Sequence, residues 1–118
     1  MKYTLLIYET PVDFAKRDDP EQKAAFWSAW GAYAKAAREA GLLAGGSSLQ
    51  LPSSATTVCL RNGRRLVQDG PYADTKEQLG GFFVIDVPDL DTAMGWAARC
   101  PNAASGVVEV RPCLATGG

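Results

Sequence analysis

Two stretches of the sequence are apolar on both faces of a strand, and this feature restricts the possible folds more than any other. Leu5, Leu6 and Ile7 form the first stretch, and residues 82–85, which read FFVI, form the second. Because successive side chains in a β-strand point to opposite faces, a consecutive apolar run predicts a strand that is covered on both sides. The sheet that contains these strands must therefore be buried on both faces.

A long amphipathic helix is predicted to follow the first strand. Residues 19–22, Asp-Pro-Glu-Gln, supply an N-cap, a proline at the first helical position and a glutamine at the capping-box position. The next apolar side chains recur at helical spacing, namely Phe26, Trp30, Tyr33 and Ala37. Such an aromatic stripe is more often part of a core than the wall of a ligand site. Gly41 is placed to end the helix.

A β-hairpin is predicted around Asn62-Gly63, because this dipeptide best tolerates the positive φ angles of a two-residue type I′ turn. Its strands are Thr56–Arg61 and Arg64–Gln68. The turn sets Val58 opposite Val67. It also places two arginines at the tip, where they either are solvated or contact an anion.

The other predicted elements complete an α+β order of strand, helix, strand, hairpin, loop, strand, helix, strand. The strands lie at residues 2–8, 42–51, 82–87 and 107–111, and the second helix is capped at Pro88-Asp89 and reaches about Arg99. Residues 69–81 form a long connection whose middle can hold one helical turn. This order predicts a ferredoxin-like antiparallel sheet with two helices on one face and an inserted β-hairpin. One domain is expected at residues 1–114, with a disordered tail at 115–118.

The second face of the predicted sheet needs its own cover. Two helices cover one face only, and an apolar face left in water would be too large a patch for a normal monomer. The simplest cover is a second copy of the same sheet related by two-fold symmetry. We therefore expect a homodimer.

Composition excludes several classes of function. Twelve Lys and Arg against thirteen Asp and Glu give a net charge of −1 without a basic stripe, so neither nucleic acid nor a membrane is an expected partner. The early acidic residue Glu9 argues against a signal peptide or membrane span and favours a cytoplasmic protein. The sequence has no histidine, and its three cysteines, which read as small core residues, show no metal-site spacing. No metal and no cofactor are expected.

Four segments resemble one known family. Residues 69–91 read DGPYADTKEQLGGFFVIDVPDLD, and they are accompanied by MKYTLLIY at 1–8, WAARCP at 96–101 and VEVRP at 108–112. Together they resemble the YCII-related family, in its DGPF-domain branch. The DGPF motif that gives the branch its name reads DGPY at residues 69–72. Tyr72 in place of phenylalanine keeps the aromatic ring and adds a hydroxyl group.

The resemblance implies a dimeric α/β barrel with a cleft in each subunit. Relatives of this barrel type include muconolactone isomerase-like and dehydrochlorinase-like enzymes, and members of the DGPF branch are associated with extracytoplasmic-function sigma factors, which implies a regulatory link. A His-Asp pair has been held responsible for catalysis in YCII relatives. The present chain has no histidine to fill that role.

The candidate site residues lie on the motif loop and at the end of the first strand. Asp69 and Glu77 are the candidate acid–base groups, although the position of Asp69 before Gly70-Pro71 favours a role in capping its own turn. The candidate ligand-binding residues are Tyr72, Lys76, Gln78 and Tyr8. Gly80-Gly81 is expected to allow a close backbone approach rather than to hold phosphate.

The acidic residue Asp86 interrupts the predicted strand at residues 82–87 near its end. If it is buried it needs a partner such as Arg111, and otherwise it occupies an exposed strand end.

Two functions remain open from the sequence. The first is a noncatalytic homodimeric module that binds a small molecule or acts in regulation. The alternative is a lyase or isomerase acting on a small acidic or lactone-like ligand through carboxylate chemistry.

Overall fold

A four-stranded antiparallel sheet forms the centre of the fold. The computed structural model describes residues 1–115. Its strands are β1 (Lys2–Glu9), β2 (Leu43–Ser48), β3 (Thr56–Arg61), β4 (Arg64–Asp69), β5 (Gln78–Asp86) and β6 (Val107–Pro112). The main sheet has the order β2-β5-β1-β6, and β3 pairs with β4 in a separate two-stranded hairpin. Residues 116–118 of the predicted tail lie outside the described residues.

Three helices accompany the sheet: α1 (Pro11–Lys16), α2 (Lys23–Glu39) and α3 (Leu90–Ala98). The strand–helix–strand halves with a hairpin between them confirm the predicted ferredoxin-like α+β fold. The short helix α1, which lies between β1 and α2, was not predicted. Thr10 caps it by accepting a hydrogen bond from the backbone N–H of Asp13, and Pro11 occupies its first turn.

The start of α2 differs from the predicted start. Residues 20–22 form a turn instead of the first helical turn, and the helix begins at Lys23. The carboxylate of Asp19 accepts from the backbone N–H of Glu21, while its carbonyl accepts from the N–H groups of Gln22 and Lys23. The capping residues therefore close a local turn, and α2 starts after it.

The predicted hairpin is confirmed together with its register. Asn62 and Gly63 have φ angles of 53° and 75°, as a type I′ turn requires, and Val58 pairs with Val67. Residues 69–81 could have held one helical turn, but the chain between Pro71 and Glu77 contains only bends and irregular backbone. The following strand, β5, begins at Gln78 because its pairing with β1 extends to Glu9.

The hydrophobic core lies between the sheet and the two longer helices. Alternate residues of β1 point into it, whereas the residues between them point to the other face. The buried core residues are Tyr3, Leu5, Ile7, Tyr33, Ile85, Val87, Ala93, Ala97 and Cys100. The hydroxyl of Tyr33 donates to the carbonyl of Trp96 at 2.9 Å, which joins α2 to α3. Burial raises the pKa of the Cys100 thiol to about 11, consistent with the expected core role of this cysteine.

The other face of the sheet is open in a single copy of the chain. Pairing across the sheet places Leu6 beside Phe82 and Thr4 beside Val84 on this face. These four side chains are only half-buried, because α2 and α3 both pack on the opposite face. The structure thus retains the two-sided apolar character that the sequence indicates.

Asp86 occupies the exposed strand end that the sequence analysis left open as one alternative. Its carboxylate accepts from the N-terminal amine of Met1 at 3.0 Å, and Arg111 pairs with Glu109 instead. Within residues 1–115, no helix is both long enough and apolar enough to cross a membrane.

Candidate functional site

A cavity of about 470 Å³ lies between α2 and the side of the sheet formed by β2 and β5. One wall is the face of α2 that runs from Phe26 to Arg38, and the other is formed by β2 and β5, where glycines bring the two strands close together. The Cβ that an alanine would carry at position 81 would lie 2.8 Å from the carbonyl oxygen of Ser47. The close backbone approach expected at Gly80-Gly81 is therefore confirmed at Gly81, whereas Gly80 leaves space for the Glu9 carboxylate.

The floor of the cavity is a buried ion pair between the last residue of β1 and the residue that follows α1. Arg17 Nη2 lies 2.8 Å from Glu9 Oε2, and the two residues are 9% and 1% exposed. Charged groups are almost never buried to this extent unless they are paired, because desolvation of each ion costs several kcal/mol. The pair therefore fixes the position of α1 relative to the sheet.

The guanidinium of Arg17 is committed to acceptors of the protein. Nη1 donates to the carbonyl of Leu49, and Nη2 donates to the carbonyl of Gly80 at 3.0 Å as well as to Glu9. Nε is enclosed and has no partner among the described residues. The charge of Arg17 is therefore paired within the protein, although the residue itself lines the cavity.

Aromatic rings surround the Arg17 side chain. Its guanidinium lies 4.9 Å from the ring centre of Phe14 and 5.5 Å from that of Trp27, within cation–π range. The indole N–H of Trp27 also donates to the Arg17 carbonyl at 3.1 Å. The start of α2 is thus attached to the end of α1 by contacts to one residue.

The second carboxylate oxygen of Glu9 is the group that the floor presents to the cavity. Oε1 accepts no hydrogen bond within the described part of the chain, and the Glu9 side chain lines the cavity. Burial raises the pKa of this carboxyl group above its ordinary value, an effect larger than the opposing hydrogen bond and charge of Arg17. Such a group can accept a hydrogen bond when ionised and donate one when protonated.

The aromatic stripe of α2 divides between core and cavity. Tyr33 and Ala37 are buried, as predicted, whereas Phe26 and Trp30 are half-buried and line the cavity. Trp30 lies nearly parallel to Phe83, with ring centres 6.1 Å apart. The N-terminal half of the stripe therefore provides the apolar wall that a ligand would contact.

A second cavity, of about 350 Å³, shares Phe26 and Trp30 with the first. Its polar residues include Asp13, whose carboxylate accepts from the hydroxyl of Ser105 and lies 3.2 Å from the ammonium of Lys16. These contacts join α1 to the segment before β6. Asp13, Lys16 and Ser105 satisfy one another, whereas the side-chain oxygen of Asn102, which also lines this cavity, is enclosed and accepts no hydrogen bond within residues 1–115.

The structure places most of the predicted site residues away from both cavities. Asp69 is exposed at the end of β4, and its carboxylate accepts no hydrogen bond within residues 1–115, including from its own turn. Tyr72 is 90% exposed, Lys76 is exposed and Glu77 is half-buried. These four residues and Gln78 and Tyr8 are not among those that line the larger cavity.

Gln78 and Tyr8 have other positions in the fold. The side-chain amide of Gln78 donates to the carbonyls of Ala73 and Thr75 at 2.9 and 2.8 Å, which closes the motif loop on itself. Tyr8 pairs with Leu79 and Val107, so its side chain points to the open face of the sheet. The roles assigned to the six residues in a ligand site remain predictions.

Glu9 and Arg17 were not predicted to be site residues. One usable signal was present in β1, because Tyr3, Leu5 and Ile7 form the buried face of the strand and Glu9 is the next residue on that face. An acidic group on a buried face requires a partner. The identity of the partner depends on the unpredicted helix α1, which brings Arg17 back toward the end of the strand.

Comparison with known proteins identifies one family. A family model described as the YCII-related domain matches residues 1–115. An uncharacterised protein of Rhizobium meliloti (strain 1021) is 43% identical over 76 residues, which cover 63% of this chain and 61% of that protein. The match therefore spans less than two thirds of that relative's length.

Gly80→Ala should disrupt the floor of the cavity. An added Cβ would lie 1.9 Å from Glu9 Oε2, too close for both to keep their positions, so we expect a loss of about 2–3 kcal/mol in the free energy of unfolding. Urea denaturation of the variant measures this loss. Gly95→Ala is the matched control, since a Cβ at this helical position meets no atom within 4 Å and should increase stability slightly. Equal stability of the two variants would contradict the geometry.

The raised pKa of Glu9 predicts a specific pH dependence of stability. The folded protein retains a proton on Glu9 at pH values where the unfolded chain has lost it, so this contribution to stability declines as pH rises above 4.5. Glu9→Gln removes the titration. The stability of the native protein relative to Glu9→Gln should therefore fall between pH 4 and pH 7, as measured by urea denaturation at each pH.

Glu39→Gln is the control for this titration, because Glu39 is exposed and its pairing with Lys35 is 3.8 Å long. Its stability relative to the native protein should vary little over the same range. If the stability of the native protein relative to Glu9→Gln instead rises with pH, the charge of Arg17 lowers the pKa of Glu9 by more than burial raises it.

Proposed function

The chain belongs to the YCII-related family, and from this premise we propose that it is a homodimeric module that binds a small molecule in the cavity between α2 and the sheet. One observation carries the proposal. An aromatic-walled space of about 470 Å³ ends on a buried carboxyl group whose second oxygen has no protein partner in residues 1–115. Ligand sites typically combine apolar walls with a few placed polar groups in this way.

The arrangement of the cavity supports binding more directly than catalysis. The acid–base residues proposed from the sequence, Asp69 and Glu77, do not line it, and the Arg17 guanidinium is held by protein acceptors. The lyase or isomerase alternative and the regulatory link to a sigma factor stay predictions, as does assignment to the DGPF branch. For the enzyme alternative, Glu9 would replace the motif carboxylates as the acid–base group.

The homodimer is part of the proposal because the open face of the sheet needs a cover. The chain has a radius of gyration of 15.9 Å and measures 47 × 44 × 19 Å, whereas a compact chain of this length would have a radius of about 13.5 Å. The separate hairpin also exposes apolar side chains on both of its faces, among them Leu60 and Leu66. An isolated hairpin is marginally stable in water, so both surfaces favour a second copy.

The binding proposal can be tested with a neutral aromatic probe. We expect 2-naphthylmethanol to bind with a Kd of about 1 mM or tighter by isothermal titration calorimetry, as its size and the apolar walls permit. Ala34→Phe should abolish binding by filling the cavity, because Ala34 lines it. Ala32→Phe makes the same change at an exposed position of the same helix and should leave binding intact. Equal binding by the two variants, with both folded by circular dichroism, would refute the proposed site.

The dimer can be tested independently of the ligand. Val84→Glu places a charge on the open face of the sheet, and burying it in an interface would cost several kcal/mol. Sedimentation velocity should give a dimer for the native chain and a monomer for this variant. Ser28→Glu, on the exposed surface of α2, should remain dimeric. A native chain that sediments as a monomer at micromolar concentration would exclude the proposed assembly.

A further inference from the structure

The two ends of the cavity carry groups of opposite charge type, a carboxyl group and a guanidinium group. Trp27 lies beside the Glu9–Arg17 pair, and Arg38 lines the cavity further along the same helix. The two helical residues are eleven positions apart, which corresponds to about 16 Å along an α-helix. The Arg38 side chain leans back toward the N-terminus of the helix and shortens this span. The cavity is therefore an elongated space with a carboxyl group at one end and a guanidinium group at the other.

At the Glu9 end the buried cation is already paired, whereas one carboxylate oxygen is not. Glu9 Oε1 lacks a protein partner within residues 1–115, while Arg17 forms hydrogen bonds with Glu9 and with the carbonyls of Leu49 and Gly80. A ligand carboxylate placed here would meet the negative charge of Glu9 without a free cation to offset it. The acidic or lactone-like ligand expected from the sequence consequently does not fit with its acidic group at this end.

The Arg38 end provides a free cation. Arg38 is exposed and forms no ion pair among the described residues, whereas the neighbouring Lys35 and Glu39 pair with each other at 3.8 Å. A guanidinium group presents several donors in a plane and suits a carboxylate or phosphate. An anionic group is therefore best accommodated at this end.

The region between the two ends is apolar and aromatic. Trp27, Trp30 and Phe83 contribute ring surface there, and the glycine-containing backbone of β2 and β5 forms the facing wall. A flat apolar body would contact these rings.

From these three regions we infer that the cavity takes an elongated ligand with a flat apolar body, a hydrogen-bond-donating or cationic end at Glu9 and an anionic end at Arg38. The inference rests on the proposed function, because it assigns the ligand class of the same cavity. It also reverses the simplest expectation for a pocket that contains a buried arginine, since the buried Arg17 binds protein and the exposed Arg38 binds the ligand.

Four naphthalene probes test the polarity of the site. They are 6-(aminomethyl)-2-naphthoate, which has both ends, 2-naphthoate, 2-naphthylmethylamine and the neutral 2-naphthylmethanol. Calorimetry on the native chain should rank the two-ended probe tightest. Arg38→Gln should weaken the two acid-bearing probes about threefold to fivefold and leave the other two unchanged. Lys35→Gln is the matched control, because Lys35 is an exposed cation of the same helix that does not line the cavity.

The amine end is tested separately. Glu9→Gln should weaken the two amine-bearing probes about tenfold, since it removes a charge-assisted hydrogen bond. If circular dichroism shows that this variant is unfolded, the test is made on the native chain alone. There, 2-naphthylmethylamine should bind more tightly than 2-naphthoate.

The outcomes distinguish this inference from the proposed function. Binding of all four probes with equal affinity, unaffected by Arg38→Gln, would overturn the ligand class while the cavity remained a binding site. Tighter binding of 2-naphthoate than of the amine on the native chain would overturn the assignment of the Glu9 end. If none of the four probes binds, the ligand class and the binding site both fail.

Discussion

The buried ion pair between Glu9 and Arg17 is the contact on which the surroundings of the cavity depend. It joins the end of β1 to the residue after α1, and through the same guanidinium it reaches the carbonyls of Leu49 and Gly80. Removal of one partner would leave the other charged and buried, which costs about 3–5 kcal/mol in proteins. Gly80 has no side chain because the carboxylate occupies that space. The ion pair, the glycine and the start of α2 therefore constrain one another.

The two faces of the sheet differ in what they contact in this fold. The inner face carries the core and, near the β2–β5 side, the cavity with its aromatic wall. The outer face carries half-buried apolar residues such as Leu6 and Val84, and the motif loop lies outside the cavity in a single copy. The segment that most resembles the family is thus divided, because its loop at residues 69–77 lies outside the cavity and its residues 80–83 line it. Gly80 leaves space for the Glu9 side chain of β1, and Gly81 allows the backbone of β2 to approach β5 closely.

Local sequence signals predicted the elements that depend on local chemistry. The Asn62-Gly63 turn fixed the hairpin and its register, and Asp89 caps α3 by accepting from Thr92, as expected. The errors occurred where a local signal had two structural outcomes. Asp19 was predicted to cap a helix but closes a turn, and Thr10-Pro11 begins a short helix that was not predicted. For the site, the motif residues were identified by their chemistry, whereas Glu9 and Arg17 become neighbours only through the return of the chain along α1.

The sequence by itself determined the α+β order, the hairpin and the apolar character of both sheet faces, because strand alternation, helix periodicity and turn geometry act over a few residues. It also excluded histidine chemistry, since composition alone decides this. Only the tertiary structure decided which charged groups form pairs with one another. The partner of Glu9, the commitment of Arg17 to protein carbonyls and the freedom of Arg38 depend on how α1 and α2 pack against the sheet. The physical reason is that the burial and pairing of a charge depend on groups that are distant in the sequence. No local pattern specifies which distant group will become the partner.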